Sequence, residues 1–232
     1  MHRRKIVREM PLENNRLLWS KWVLANGIGI LLGTLAATAL IPVIALLIAA
    51  FGPPDKQPLN IFFLLAIIAS AFLGSALGLS QWLVLHGVEQ KIRAWAWICA
   101  TATGALCIWT LILFPEMRNA RAPAASFSQG AALTDPQLLA AALFLGASFG
   151  AVIGTAQWIV LRRYFERAAW WIVSAALAGT IGLPLLVLAL ARAEAQTSYW
   201  SFWLVGTLGA AAIGVISSSV TGIALVNLRR RA

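Results

Sequence analysis

Every polar side chain inside the apolar stretches of this chain that could do chemistry is uncharged. Gln81 and Gln157 stand in matching surroundings, Ser80-Gln81-Trp82-Leu83-Val84-Leu85 and Ala156-Gln157-Trp158-Ile159-Val160-Leu161. Asn26 and Thr101 form a second matched pair, each four residues after a tryptophan, Trp22 and Trp97. An amide or hydroxyl among apolar neighbours has two uses. It can bond to a neighbouring helix and set register, which contributes roughly 0.6–2 kcal/mol in a membrane. Or it can line a polar cavity or ligand pocket, here one opening to the cytoplasm. Gln81, Gln157, Asn26 and Thr101 are therefore the candidate polar or ligand-binding positions.

Charged chemistry is confined to the segment ends. Glu9, Glu13, Asp55, Glu89, Glu116, Asp135, Glu166 and Glu194 all fall outside the apolar runs. An intramembrane carboxylate, lysine or arginine marks proton relays and ion-coupled carriers, so their absence from the runs argues against such a pump. Paired carboxylates and His-Glu-x-x-His are also missing, which removes intramembrane aspartyl and metallo-hydrolysis. Ser217-Ser218-Ser219 has no histidine or acid near it in sequence to activate a hydroxyl. His86 ends a predicted helix and His2 lies in the terminal arm, which gives no pair for a haem. Cys99 and Cys107, eight residues apart on one predicted helix, cannot meet in a disulfide. No Cys/His spacing suits a metal. A protein without catalytic residues, metal or cofactor is expected, hence no enzyme.

The elements that carry these residues follow from composition. Of the 232 residues, 60% are hydrophobic and 11% charged, and the mean hydropathy is +0.81. Such a chain must face lipid or other apolar helices. Six runs are long enough for the roughly 20 residues of a spanning helix: 22–50, 61–85, 94–114, 138–161, 170–191 and 199–228. No strand-like alternation argues for a barrel. The first run is too long for a signal-peptide core and should tilt or bend at Pro42.

Fourteen of the 18 Lys and Arg fall on the side that six spans assign to both termini: Arg3, Arg4, Lys5, Arg8, Arg16, Lys21, Lys91, Arg93, Arg162, Arg163, Arg167 and Arg229-Arg230-Arg231. Lys56, Arg118, Arg121 and Arg192 fall on the other. The positive-inside rule then places both termini in the cytoplasm of a multi-pass bacterial inner-membrane protein. The net charge of +10 is accounted for by these topology signals beside anionic headgroups, and nucleic acid is not an expected partner.

A repeat organises the runs. The second helix of each predicted pair carries small residues at a four-residue step: Ser70, Gly74, Gly78; Gly146, Gly150, Gly154; and Gly214, Ser218, Gly222. In the last copy Leu225-Val226 stands where Gln-Trp is expected. First helices carry Gly29, Gly104 and Gly179, spaced at equal intervals along the chain. A four-residue step places each trio on one helix face, where backbones can approach closely in lipid. The expected fold is an all-α membrane protein of six transmembrane helices, arranged as three repeated hairpins in a compact bundle. Its expected divisions are a basic cytoplasmic arm (1–21), a first hairpin (22–88), a second (89–164) with a long extracytoplasmic loop (115–137), and a third (165–232) with a basic tail. The arm, with Leu12, Leu17, Leu18 and Trp19 after Pro11, could lie flat on the leaflet. Trp19, Trp22, Trp82, Trp95, Trp97, Trp158, Trp170 and Trp171 read as an interfacial aromatic belt, with a pigment, quinone or lipid-headgroup site as the sharper alternative.

Trp-x-x-Ala at helix starts together with Gly-x-x-x-Gly-x-x-Gln-Trp-x-Val-Leu resembles a group of multispanning bacterial membrane proteins of cyanobacterial and Chloroflexi type. The resemblance is clearest over Gly74–Leu85 and Gly150–Arg163; it implies the same topology and no activity or site. Two functions stand as expectations. One is a non-enzymatic structural or accessory subunit of a larger membrane complex, partnered by the bilayer and other membrane subunits. The other is a small-solute transporter, a channel, or a protein binding lipid or another hydrophobic ligand.

Overall fold

The computed structural model describes residues 12–51, 58–119, 136–194 and 199–229, and among them there is no strand. They form six helices: α1 Leu12–Phe51, α2 Pro58–His86, α3 Ala94–Asn119, α4 Pro136–Leu161, α5 Trp170–Glu194 and α6 Tyr199–Arg229. Each is apolar nearly all round, as a helix without a water-facing stripe must be. α2 and α4 both open on a proline, Pro58 and Pro136, where its fixed φ and missing N–H are tolerated. Pro42 in α1 and Pro184 in α5 lie within unbroken helices.

Five helices are long and apolar enough to cross a membrane. In α3 the apolar stretch among described residues is shorter, Ala94–Cys107. Large apolar side chains face outward, including Leu24, Ile28, Leu32 and Leu35 along α1, Phe144 on α4 and Leu204 and Leu208 on α6. In water this coat would be untenable; in lipid it is the solvated surface.

Each helix packs chiefly on its neighbours in sequence, and α1 also packs on α6, so the six close into a ring. The small residues of α2, α4 and α6 mark where backbones meet. A Cβ on Gly74 would lie 2.8 Å from Ala102 Cα of α3, one on Gly78 3.0 Å from Ile98 Cα, and one on Gly150 2.9 Å from Ala176 Cα of α5. Gly146 faces Gly179 and Leu183, Gly154 faces Ile172, and Gly214 faces Ile30 of α1. Ser70 and Ser218 are buried in the same faces. These seams thus join α2 to α3, α4 to α5 and α6 to α1.

Gly29 and Gly104 instead meet the following helix, at Leu77 Cα of α2 (3.0 Å) and Ile153 Cα of α4 (2.9 Å), whereas Gly179 meets the preceding one, at Gly150 N of α4 (3.0 Å). The cause is one residue of register. Gly29 and Gly104 follow Trp22 and Trp97 by seven residues, Gly179 follows Trp171 by eight, and one residue turns a helix by about 100°.

The core sits at the end of the ring where the turns 87–93 and 162–169 lie. Leu18, Trp22, Leu85, Ile92, Trp97, Leu161, Phe165, Trp171, Leu225 and Leu228 form one buried cluster there. The turns are backbone-bonded back to the helix ends, Glu89 N to Leu85 O at 2.8 Å and Phe165 N to Leu161 O at 3.0 Å. Trp82 Nε1 donates to Ile92 O at 2.9 Å and Tyr164 Oη to Lys91 O at 3.1 Å. These bonds hold Ile92 and Phe165 beneath the ring.

One expectation changes at this end. Residues 12–21 are no flat arm: they are the first turns of α1, with Asn15 and Leu18 buried and Trp19 Nε1 donating to Ser219 O of α6 at 3.1 Å. At about 1.5 Å per residue the 40 residues of α1 exceed a bilayer core, and the surplus is held against α6. Outside the described residues lie the basic cluster 3–8, the Pro-containing segment 52–57, most of the expected 115–137 loop and Arg230-Arg231; the side chains of Glu116, Arg118, Arg192 and Glu194 fall in the same category.

Candidate functional site

All four candidate polar positions come together in one buried hydrogen-bonded network at the inner edge of the core cluster. Asn26 Nδ2 donates to Trp22 O of the preceding turn at 2.8 Å, and its Oδ1 accepts from Gln81 Nε2 at 2.7 Å. Gln81 Oε1 accepts twice, from Trp97 Nε1 at 3.2 Å and Gln157 Nε2 at 3.0 Å. Gln157 Nε2 also donates to Thr101 Oγ1 at 3.0 Å, and Thr101 donates to Trp97 O at 3.0 Å. Gln157 Oε1 accepts from Trp171 Nε1 at 2.9 Å. Four helices, α1 to α4, are cross-linked to one another and to α5 by side chains less than a tenth exposed. An amide is suited to this because it carries donors and an acceptor without a charge to desolvate.

The indoles were missed as partners, and three of them depart from the aromatic-belt reading. Trp22, Trp97 and Trp171 are 0%, 0% and 1% exposed. Trp171 meets the other two edge-on, with ring centroids 5.4 Å from Trp22 and 6.1 Å from Trp97. A fully buried indole needs an acceptor for its N–H, and the glutamines supply it for Trp97 and Trp171. Trp19, Trp95 and Trp170 are exposed as a belt requires; Trp82 and Trp158 pack against the core. The signal in the sequence was the nearly equal spacing of Trp22, Trp97 and Trp171 along the chain.

The last helix also meets the network in a register other than the one expected of a third copy. Trp22 Nε1 donates to Thr221 Oγ1 at 2.9 Å, so Thr221 does for Trp22 what Gln81 does for Trp97 and Gln157 for Trp171. Leu225, expected at the glutamine position, is fully buried beside Leu85 and Leu161, each four residues past its glutamine. The counterpart of Ser70-Gly74-Gly78 is then Ala210-Gly214-Ser218, one turn earlier than expected, and Gly222 stands where Trp82 and Trp158 do. The ring of Trp19 lies against that glycine, its Cδ1 2.9 Å from where a Cβ would be. Thr221→Val, nearly isosteric, leaves the buried Trp22 N–H without an acceptor. We expect a loss of about 1–2 kcal/mol, read as a lower melting temperature in detergent, with Thr221→Ser close to wild type.

Gln81, Gln157 and Asn26 do line a cavity, but on the side away from the turns. It holds about 340 Å³ on the axis of the ring, over a floor made by this network, with Ile30, Leu77, Ile153, Leu183 and Ile213 among its walls and the close seams at Gly150 and Gly179. Thr101 lies outside it. The end toward the turns is closed by Leu85, Leu161 and Leu225, all 0% exposed, so the expected opening on that side is absent. Ser217 Oγ, on the cavity wall, is the one buried side-chain polar atom among the described residues that has no partner.

Compared with protein-family models, curated proteins and solved structures, the chain gives no significant match to any.

Proposed function

We propose that this is a non-enzymatic integral membrane protein of three repeated hairpins with both termini cytoplasmic, whose ring holds a hydrophobic ligand in the axial cavity. A lipid acyl chain or a molecule of similar girth suits the walls. The observation that carries this reading is the cavity itself: an apolar space over a polar floor whose amide and indole groups are bonded to one another. A site for a polar solute or ion would offer several groups free to replace water, and among the described side chains of this wall Ser217 Oγ alone is buried and unpartnered. The closed end, with Leu85, Leu161 and Leu225 across the axis, supports holding over passage.

The structural or accessory subunit that composition favours is the second reading. It is supported by the same rigid, internally bonded core, which suits a scaffold. Purification from native membranes in mild detergent separates the two. Under the first reading a lipid or other apolar molecule co-purifies in one-to-one ratio, and Ile213→Trp, which enlarges a side chain of the cavity wall outside the small-residue row of α6, abolishes its retention while the protein still melts cooperatively. Stoichiometric co-purifying subunits and an empty cavity would replace it with the second.

A further inference from the structure

Two grooves open sideways on the ring, and they are the same groove in successive pairs of helices. The first, about 540 Å³, lies between α3 and α4; the second, about 430 Å³, between α5 and α6. On the leading helix Ala96, Cys99, Ala100 and Thr103 line the first, and Trp170, Val173, Ser174 and Leu177, each 74 residues further on, line the second. On the following helix Ala156, Ile159, Val160, Arg163 and Tyr164 become Val220, Ile223, Ala224, Asn227 and Leu228, all at one constant offset. The coincidence at every position but Trp95, whose counterpart is Ala169, makes the groove a property of the repeat.

The first groove is set open by its neighbours. α3 and α4 touch at Gly104, where a Cβ would be 2.9 Å from Ile153 Cα. The groove lies from there toward the turn end, where Tyr164 is bonded to Lys91 O at 3.1 Å. Its walls follow residues 96 to 103 of α3, roughly 10 Å of helix, so its long direction follows the acyl chains of a bilayer. Arg93 and Arg163 both line the groove at its turn end and are exposed, and no carboxylate lines the groove or pairs with either among the described residues. In the second groove Arg167 is retained and Arg163 is replaced by Asn227.

We propose that the α3–α4 groove is a binding site for an anionic glycerophospholipid, with the phosphate between the guanidinium groups of Arg93 and Arg163 and one acyl chain against Ala96, Ala100 and Ile159. Guanidinium matches phosphate through paired N–H donors and is readily desolvated at an interface. Trp95, 65% exposed, stands at the headgroup level where indole is favoured. The α5–α6 groove takes the same lipid more weakly, since one cation heads it in place of two. This site is lateral and separate from the axial cavity, and it stands or falls apart from the ligand proposed there.

The test is native mass spectrometry of the full chain, delipidated in detergent and titrated with phosphatidylglycerol or phosphatidylcholine of the same acyl chains. Wild type should retain phosphatidylglycerol preferentially. Arg93→Gln and Arg163→Gln should each weaken that retention about fivefold and the pair about 25-fold, with Arg167→Gln affecting only a second, weaker lipid. Glycerol phosphate without chains should not compete. Arg162→Gln is the control, since Arg162 lies over the Trp158 ring at 4.9 Å and outside the groove; melting temperatures establish that each variant is folded. Equal retention of the two lipids, or equal loss in Arg162→Gln and Arg163→Gln, would overturn the site. Competition by glycerol phosphate would show a free phosphate ester as the ligand and overturn the lipid assignment.

Discussion

Gly150→Ala should destabilise the protein more than any other single methyl addition among its described glycines, and Gly150→Leu should prevent the ring from closing between α4 and α5. A Cβ at this position would fall against backbone: Ala175 C at 2.7 Å, its carbonyl oxygen closer still, and Ala176 Cα at 2.9 Å. No rotamer change relieves such a contact, so the helices must separate along a seam that also includes Gly146, Gly154 and Gly179. Overpacking a core costs about 1–3 kcal/mol when side chains can shift; here they cannot, and the upper end or beyond is expected. Gly206 on α6 is the internal control, because nothing lies within 4 Å of its Cβ position. Gly206→Ala should be neutral or stabilising by up to about 1 kcal/mol, the usual helix preference for alanine. Thermal melts in one detergent compare them directly. Equal melting temperatures for Gly150→Ala and Gly206→Ala would show that the α4–α5 seam is not closed in the membrane-extracted protein.

Gln81→Leu should have the second largest effect. The substitution removes the acceptor of Trp97 Nε1 and of one Gln157 N–H, and the donor to Asn26 Oδ1. All of these groups are buried, and each left unpaired costs about 1–3 kcal/mol, less what relaxation recovers. A combined loss of roughly 2–5 kcal/mol is expected. Gln157→Leu should cost a similar amount through Trp171, Gln81 and Thr101. The double variant should cost less than the sum by about 1 kcal/mol, the one bond between the two amides that each single change already breaks. Strict additivity in melts would mean that the glutamines do not share a network.

Much of this architecture was legible in the chain itself. Composition and run length were enough to recognise membrane helices, because about 20 apolar residues have no other stable environment. The four-residue step of small side chains gave expected packing faces, since that step returns to nearly the same side of a helix, and Gly74, Gly78 and Gly150 each have a neighbouring Cα within 3.0 Å of a Cβ position. Gln81 and Gln157 stood out through matching local sequence, but their bond to each other did not. Less legible was the fate of the indoles: a tryptophan near a helix end looks alike whether its ring meets headgroups or a neighbour's amide. Trp95 and Trp97 are two residues apart, so they point to different sides, and one is 65% exposed while the other is 0%.

The register of the last helix shows where local pattern stops. A row of small residues at every fourth position looks the same when slid by four, so Ala210-Gly214-Ser218 and Gly214-Ser218-Gly222 fit the repeat equally well. Only the indole of Trp22, arriving from the other end of the chain to bond Thr221, selects between them. The sequence by itself therefore determined the helices, their lipid-facing surface and the small-residue faces, all of which depend on neighbours within a few turns. Tertiary structure alone decided the closure of α1 on α6, the burial of three tryptophans, the partners of the glutamines and the spaces left on the axis and flanks. Each of these depends on which groups meet across the ring, and hydrogen-bond partners from opposite ends of the chain leave no periodic trace in a single sequence.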